Sequence, residues 1–308
     1  MRLLLAFLSG AVAVMQPINV VACCSFQPAR FSETHGLAAE AQHNGRLVHL
    51  LGYQNTAVNM AAGGQANALF LPIPAKPGTM SRINILDTTS CPALFGDLET
   101  ALPYPEDRNT SPGQQLLGIT SPPPQVFEHD IYTIVLSSDP RQIPAALLKV
   151  CPERRPLLNP AICRSYAKWY KGWTFALCCF NTREQTKAKP MLWWYEPLNP
   201  DRLFFPALDA HTGNPPDLKK MVDVDHHLFF GSYKMNKGNP VKYSDASMSS
   251  ELKQLLPKRI YGSRIWTQMI NGDFYVDTAD LHSGKYLLKR KGPPFARSAM
   301  SGHGPNRG

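Results

Sequence analysis

The stretch that decides the fold is residues 37–53, which read LAAEAQHNGRLVHLLGY. At its centre lies Asn44-Gly45, the dipeptide that best accepts the two positive φ angles of a type I′ turn between antiparallel strands. We therefore predict a β-hairpin with residues 37–42 and 46–53 as its strands. The first half, Leu37–Gln42, also has helical propensity, so a helix there is the alternative.

A second dipeptide of the same kind, Asn271-Gly272, predicts a hairpin between residues 265–270 and 273–278. Runs of apolar, β-branched and aromatic residues predict further strands at 68–73, 131–137, 173–180, 191–196, 222–230 and 259–264. Short helices are predicted at 143–150, from the N-cap Asn159-Pro160, and at 251–256. The fold class is mainly β (α+β), with antiparallel sheets or a sandwich and a few short helices.

The composition predicts a folded core and suggests its division. The chain has 308 residues, of which 44% are hydrophobic, enough for one or two domains. The proline-rich segment 105–125 is predicted to be a linker or loop. It would separate an N-terminal β-rich lobe, 23–104, from a C-terminal β-rich lobe with short helices, 126–284. Residues 285–308 are predicted to form a basic, disordered tail.

The formal net charge of +9 is concentrated at the chain ends. One positive charge belongs to Arg2. Six more lie in the tail, which has no acidic residue: Lys285, Lys289, Arg290, Lys291, Arg297 and Arg307. Removing these seven charges leaves a body of only +2. A nucleic-acid partner is therefore not expected, because such proteins concentrate basic residues on a folded face.

The N-terminus has the pattern of a secretory signal peptide covering residues 1–22. Arg2 precedes the apolar run 3–15, and Val20 and Ala22 supply small residues at positions −3 and −1 before Cys23. The run is too short for a membrane anchor, and no later stretch reaches 18 apolar residues. We expect an exported protein that is periplasmic, anchored to the outer membrane or extracellular.

Residues 20–23, Val-Val-Ala-Cys, resemble the lipobox of bacterial lipoproteins, in which the cysteine carries a diacylglyceryl group. Ordinary cleavage after Ala22 fits equally well, so lipidation of Cys23 and a free N-terminus both remain open. Any contact with a membrane would be made through that lipid. In an oxidising compartment the other six cysteines would be expected to pair. These disulfide candidates are Cys24, Cys91, Cys151, Cys163, Cys178 and Cys179.

A broader resemblance covers about the first 80 residues. The Cys23-Cys24 pair, Tyr53 within an apolar strand, and Phe70-Leu-Pro-Ile-Pro74 together look like an uncharacterised family of exported bacterial proteins. That resemblance implies export and no mechanism, and it assigns no site residue.

The densest polar cluster is the predicted site for a divalent metal, the one cofactor suggested by the sequence. On a strand at 222–230, alternation places Asp223, Asp225 and His227 on one face. Asp209 and His211 would complete the ligands from a second strand, and such a site could activate water for hydrolysis. The alternative is structural, because Asp and Gly form turns and alternating Asp and Val is typical of a strand with one solvated face.

Aromatic residues provide a second candidate site. Trp193 and Trp194 are adjacent on a predicted strand and therefore face opposite ways, so at least one could bind an envelope glycan or another envelope protein. The stripe Ile162, Tyr166, Trp169 and Trp173 has helical spacing and is expected to pack in the core. We therefore expect an exported, disulfide-stabilised envelope or surface protein with a non-catalytic binding or structural role. The alternative function is a metal-dependent hydrolase.

Overall fold

A computed structural model of the chain describes residues 24–103 and 123–293. The predicted signal peptide, Cys23, residues 105–122 of the proline-rich segment and residues 294–308 of the tail lie outside the described residues. The predictions that concern them therefore stay predictions.

The fold is mainly β, which confirms the predicted class. The strands are β1 (Cys24–Ser25), β2 (Ala29–His43), β3 (Arg46–Asn59), β4 (Asn67–Ile73), β5 (Gln125–His129), β6 (Tyr132–Ser137), β7 (Thr174–Phe180), β8 (Thr186–Lys187), β9 (Met191–Tyr195), β10 (Arg202–Phe205), β11 (Met221–Ser232), β12 (Asn239–Pro240), β13 (Arg259–Ile270), β14 (Asp273–Asp277) and β15 (Lys289–Lys291). The α-helices are α1 (Leu94–Thr100), α2 (Ile143–Ala146), α3 (Pro160–Trp169), α4 (Ser250–Leu255) and α5 (Thr278–His282). Single 3₁₀ turns lie at Ala62–Gly64, Arg82–Asn84, Pro140–Gln142, Leu147–Lys149 and Pro152–Arg154. Within 24–103 and 123–293, no helix has the length and apolar character needed to cross a bilayer.

The hairpin at Asn44-Gly45 forms as predicted and joins β2 to β3. Asn44 and Gly45 have φ angles of +49° and +74°, as a type I′ turn requires. Leu37–Gln42 belongs to β2, so the helical alternative is wrong. Pairing with β3 places Leu37 and Ala38 on opposite faces of the sheet, and both are buried, so tertiary packing overrides the local helical propensity.

Three sheets build the molecule. The largest has the order β12-β13-β11-β2-β3-β8, with β9 also pairing with β3. Its β2 and β11 are parallel, whereas its other pairs are antiparallel. A five-stranded sheet, β1-β4-β7-β6-β5, shares one apolar core with it, and a small sheet has the order β10-β14-β15. Helices α2 and α3 cover the far face of the five-stranded sheet, and α1 and α4 cover part of the far face of the largest sheet.

The predicted division into two lobes is wrong. Strands that precede the proline-rich segment share both large sheets with strands that follow it: β4 pairs in one sheet with β7, and β2 pairs in the other with β11. Three of these N-terminal strands, β2, β3 and β4, each have a neighbour from the C-terminal half of the chain. The proline-rich segment therefore connects parts of shared sheets rather than two independent cores.

The second predicted hairpin, at Asn271-Gly272, does not form. The strand before it, β13, pairs with β11, whereas β14 pairs with β10 and β15 in another sheet. The Asn271 amide donates to the Asp209 and Asp217 carbonyls at 2.8 and 3.1 Å, and its oxygen accepts from the Asp209 amide at 2.9 Å. A Cβ on Gly272 would lie 2.4 Å from the Lys291 backbone. This dipeptide therefore binds the segment 209–217 and allows the close approach of β15 instead of forming a tight turn.

The first part of the predicted tail is ordered. Residues 289–291 form β15, and Lys289 is only 5% exposed, with its ammonium against Asp277. The prediction of disorder from residue 285 is therefore wrong for residues 285–293. Pairing with β14 supplies the backbone partners, and Asp277 neutralises a charge that composition alone would leave in solvent.

All six described cysteines are free thiols, so the predicted disulfides are wrong for this structure. Cys178 and Cys179 face opposite sides of β7, and each belongs to a different apolar core. Burial raises the pKa of the Cys24 thiol to about 12. Such thiols pack as small apolar groups.

Candidate metal centre

Three potential metal ligands converge where the largest sheet meets α1. They are His35 on β2, His227 on β11 and Glu99 on α1, and their ligand atoms all lie within 4.8 Å of one another. His35 and His227 are direct partners in the parallel pairing of β2 with β11, and their ring centroids are 4.9 Å apart. Glu99 reaches them because the preceding turns of α1 bury Leu94, Phe95 and Leu98 against the same face of the sheet.

A β-bulge aims His35 at this cluster. Between Ser32 and His35, three steps along β2 match two steps along β3, and Glu33 has a φ of +51°. A non-glycine residue rarely adopts this conformation, which occurs mostly where the surrounding structure imposes it. Here the Asp225 carboxylate on β11 accepts the Glu33 backbone N–H at 3.1 Å. Asp225 therefore supports the bulge that positions His35.

The hydrogen bonds of His35 fix its tautomer. Its Nδ1 lies 2.8 Å from the Glu33 carbonyl oxygen, which can only accept, so Nδ1 carries the proton. In a neutral ring, Nε2 is then an acceptor, and it lies 3.1 Å from Glu99 Oε1, a second acceptor. Metal-binding histidines in proteins are oriented in the same way: one ring N–H donates to a backbone carbonyl, and the other ring nitrogen is left to bind the metal.

Two facing acceptors need a cation between them, either a proton or a metal ion. Burial lowers the pKa of His35 below its usual 6.5, despite the opposing effect of Glu99, so the ring is neutral at physiological pH. Burial would raise the pKa of Glu99, but hydrogen bonding to His227 and the nearby His35 lower it overall, so this carboxylate is ionised. His227 Nδ1 contacts the same Glu99 Oε1. The arrangement therefore offers two imidazoles and one carboxylate to a shared cation.

The centre is open on one side. The His35 side chain is 6% exposed, whereas those of Glu99 and His227 are each 28% exposed. Structural zinc sites are closed by four protein ligands, and catalytic ones have three protein ligands and a position for water or substrate. His35, Glu99 and His227 are three protein ligands with an accessible side, which is the arrangement of a catalytic zinc site.

The structure separates the five metal ligands predicted from the sequence. Asp223, Asp225 and His227 share one face of β11, as predicted, but only His227 belongs to the cluster. Asp223 accepts from Gln268 at 3.0 Å, and Asp225 supports the Glu33 bulge.

Asp209 and His211 form a separate pair. His211 Nδ1 lies 2.6 Å from Asp209 Oδ1. These residues follow β10, which belongs to the small sheet, so they do not complete a site with β11. The structure therefore does not bring the five predicted residues together in one site, because the strands next to β11 are β2 and β13 and not the segment that carries Asp209 and His211.

No pattern in the sequence identifies His35 or Glu99 as a ligand. Glu99 lies 128 residues from His227, and neither His35 nor Glu99 belongs to a motif with ligand spacing. Their convergence depends on the parallel β2–β11 pairing, which no local pattern specifies.

Trp193 is completely buried in the core between the large sheets, so its predicted binding role is wrong. Trp194 faces the other way, is half-buried and packs against the His43 ring, with centroids 4.5 Å apart and the ring planes tilted by 35°. The stripe predicted to be core is confirmed on α3, where Ile162 and Tyr166 are buried.

Comparison with known proteins adds little to this geometry. No protein-family model matches the chain, and no curated protein matches it. Among solved structures, baculovirus P35 is similar with a TM-score of 0.41 and 10% identity, over 88% of this chain and 95% of that chain. A mutated baculovirus P35 after caspase cleavage gives a TM-score of 0.39 and 11% identity, over 85% and 95% of the two chains. Likeness at this level carries no conclusion about function.

Proposed function

We propose that this protein binds a divalent transition-metal ion through His35, Glu99 and His227. The observation that carries the proposal is the contact between two acceptors, His35 Nε2 and Glu99 Oε1, at 3.1 Å. Zn²⁺ fits the ligand set best, because two imidazoles and one carboxylate are a common zinc combination. Harder ions such as Mg²⁺ and Ca²⁺ prefer all-oxygen sites.

The open side of the centre favours a metal-dependent hydrolase as the activity. When bound by three protein ligands, Zn²⁺ lowers the pKa of a bound water to about 7 and so makes it a nucleophile at neutral pH. The partial exposure of Glu99 and His227 gives a substrate access to this position. A non-catalytic envelope role, with the metal bound only for stability, is the alternative.

Metal content tests the proposal directly. The protein is purified without chelators, dialysed against Zn²⁺ or Co²⁺, and analysed by mass spectrometry for metal and by the visible spectrum of the cobalt form. We expect one ion per chain. Glu99→Gln and His35→Ala should weaken binding by more than about 100-fold, beyond the 10- to 100-fold loss typical of a residue that merely orients a ligand.

The control is His211→Ala, which removes an accessible imidazole outside the cluster and should leave metal binding unchanged. Loss of the metal in His211→Ala together with its retention in Glu99→Gln would move the site to the Asp209–His211 pair. A wild-type protein that binds neither ion would contradict the proposal. Metal binding without hydrolysis of ester, phosphoester or peptide substrates would leave the stabilising role.

Export to the cell envelope remains our proposal for where the protein works. Its support is the signal-peptide pattern of residues 1–22 in the sequence. An intact mass of the exported protein would show whether the chain begins at Cys23 and whether that residue carries a lipid.

A further inference from the structure

One long strand edge of the largest sheet lacks a partner among the described residues. β12 pairs with β13 only at Arg259 and Ile260. From Tyr261 to Ile270, β13 pairs on one side with β11, and no other described strand lies on its second side. Backbone N–H and C=O groups along such an edge are a template for another strand.

The sequence of this edge lacks the usual protection. Proteins block edges with lysine, proline, bulges or inward-pointing charges. Residues 261–270, YGSRIWTQMI, contain one charged residue, Arg264, and no proline. The edge is therefore suited to pairing.

An apolar strip accompanies the edge. Trp266 is 78% exposed and Ile270 is 55% exposed, and both lie on the same face of β13. Met221, opposite Ile270 on β11, is 47% exposed. A large exposed tryptophan at the centre of a strand is typical of the residues that dominate binding energy in interfaces.

We propose that β13 pairs with β13 of a second copy of this chain, antiparallel, about a two-fold axis at Trp266. This register places Trp266 opposite Trp266 of the partner subunit and extends the sheet across the dimer. Aromatic pairs directly opposite each other on adjacent strands stabilise a sheet. A two-fold interface uses the same surface of both copies, and an antiparallel pair of two β13 edges meets this requirement.

Charge complementarity supports this register. Arg264 lies opposite Gln268 of the partner subunit, two residues from the axis on each strand. Gln268 is hydrogen-bonded to Asp223 at 3.0 Å, so the same register brings each Arg264 toward a carboxylate of the other copy. Arg264 also donates to the Glu99 backbone carbonyl of its own chain at 3.3 Å. In the proposed register this charged residue faces an amide, and like charges do not face each other.

The test measures the mass of the full chain in solution by sedimentation velocity over a wide concentration range. We expect a dimer whose dissociation constant rises about 30-fold or more in Trp266→Lys, the loss expected for an interface hot spot. The control is Ile83→Lys, which replaces a residue of equal exposure, 78%, outside the edge and should leave the dimer intact. Circular dichroism and urea unfolding confirm that each variant is folded.

A charge swap makes the test specific to the axis. Trp266→Lys and Trp266→Glu should each be monomeric alone, because each places like charges opposite one another. An equimolar mixture should associate into heterodimers. A monomeric wild type, or dimers in both single variants, would overturn the proposal. Failure of the mixture to associate would also overturn the proposal. A monomeric wild type that binds extended peptides from other proteins would assign the edge to a different partner and overturn it too.

Discussion

Replacing Glu99 with glutamine distinguishes a metal centre from an ordinary ion pair. In the metal-free protein at neutral pH, the Glu99 carboxylate faces the unprotonated Nε2 of His35 at 3.1 Å. Because His35 Nε2 and His227 Nδ1 both contact Glu99 Oε1, a glutamine that places its amide nitrogen there can donate one N–H to His35 Nε2 and the other to His227 Nδ1, in the His227 tautomer with its proton on Nε2. The substitution therefore turns a contact between two acceptors into a hydrogen bond.

The expected changes in stability have opposite signs with and without metal. Without metal, one gained hydrogen bond is worth about 0.5–1.5 kcal/mol, so Glu99→Gln should be as stable as the wild type or more stable. With free Zn²⁺ at 100 times its Kd, the wild type gains about 2.7 kcal/mol from binding. The variant, which lacks the carboxylate ligand, should gain almost nothing.

Urea unfolding at pH 7.5, in EDTA and in buffered Zn²⁺, measures both effects. Glu196→Gln is the matched control, because its side chain is 27% exposed, against 28% for Glu99, and faces Arg46 and Lys76 instead of histidine. The control should keep the full zinc response. A charged hydrogen bond is worth about 1.5–3 kcal/mol. If Glu99→Gln lowers the free energy of unfolding in EDTA by about 1.5 kcal/mol or more, Glu99 is the partner of a protonated His35 and the reasoning is refuted. Equal zinc stabilisation of wild type and variant would also refute the reasoning.

Further predictions concern the core and the thiols. His226 is completely buried beside Phe274, has no hydrogen-bond partner among the described residues, and burial holds its pKa far below 6.5. His226→Phe should therefore raise the free energy of unfolding by about 1 kcal/mol or more. Below about pH 6.5 the histidine of the unfolded wild type binds a proton, whereas folded His226 stays neutral. This one site should therefore lower the free energy of unfolding of the wild type by about 1.4 kcal/mol for each pH unit below about 6.5, and His226→Phe should lack this decrease in urea titrations at several pH values. Gly36→Ala would place a Cβ 2.2 Å from the Phe205 ring and should cost about 1–3 kcal/mol in thermal or urea unfolding; a neutral effect would contradict this packing. Alkylation of the unfolded, unreduced protein should modify all six described cysteines, and protection of any pair would indicate a disulfide.

Local sequence predicts local structure well in this chain. Asn44-Gly45 forms its turn, and the alternation of Asp223, Val224 and Asp225 forms a strand with one buried face. The same dipeptide at Asn271-Gly272 fails because its asparagine bonds to Asp209 and Asp217, in a segment distant along the chain. Equal local preferences therefore give different outcomes when tertiary partners differ.

The candidate metal centre could be predicted only in part. His227 was identified because it lies in a cluster of polar residues. His35 depends on a bulge stabilised by Asp225, and Glu99 depends on the packing of α1, and neither dependence leaves a pattern in its own segment. A site assembled from three distant segments needs the pairing of strands before its ligands can be recognised.

The parallel pairing of β2 with β11 has a consequence for synthesis of the chain. Glu40 on β2 and Ser232 on β11 are hydrogen-bonded across 192 residues, so β2 cannot complete the sheet until the ribosome has made most of the protein. At about 5–20 residues per second, that interval is about 10–40 seconds. During it, the β2–β3 hairpin keeps an open edge and apolar faces that can join other nascent chains. This protein should therefore depend on chaperones more than a sheet of sequential hairpins would.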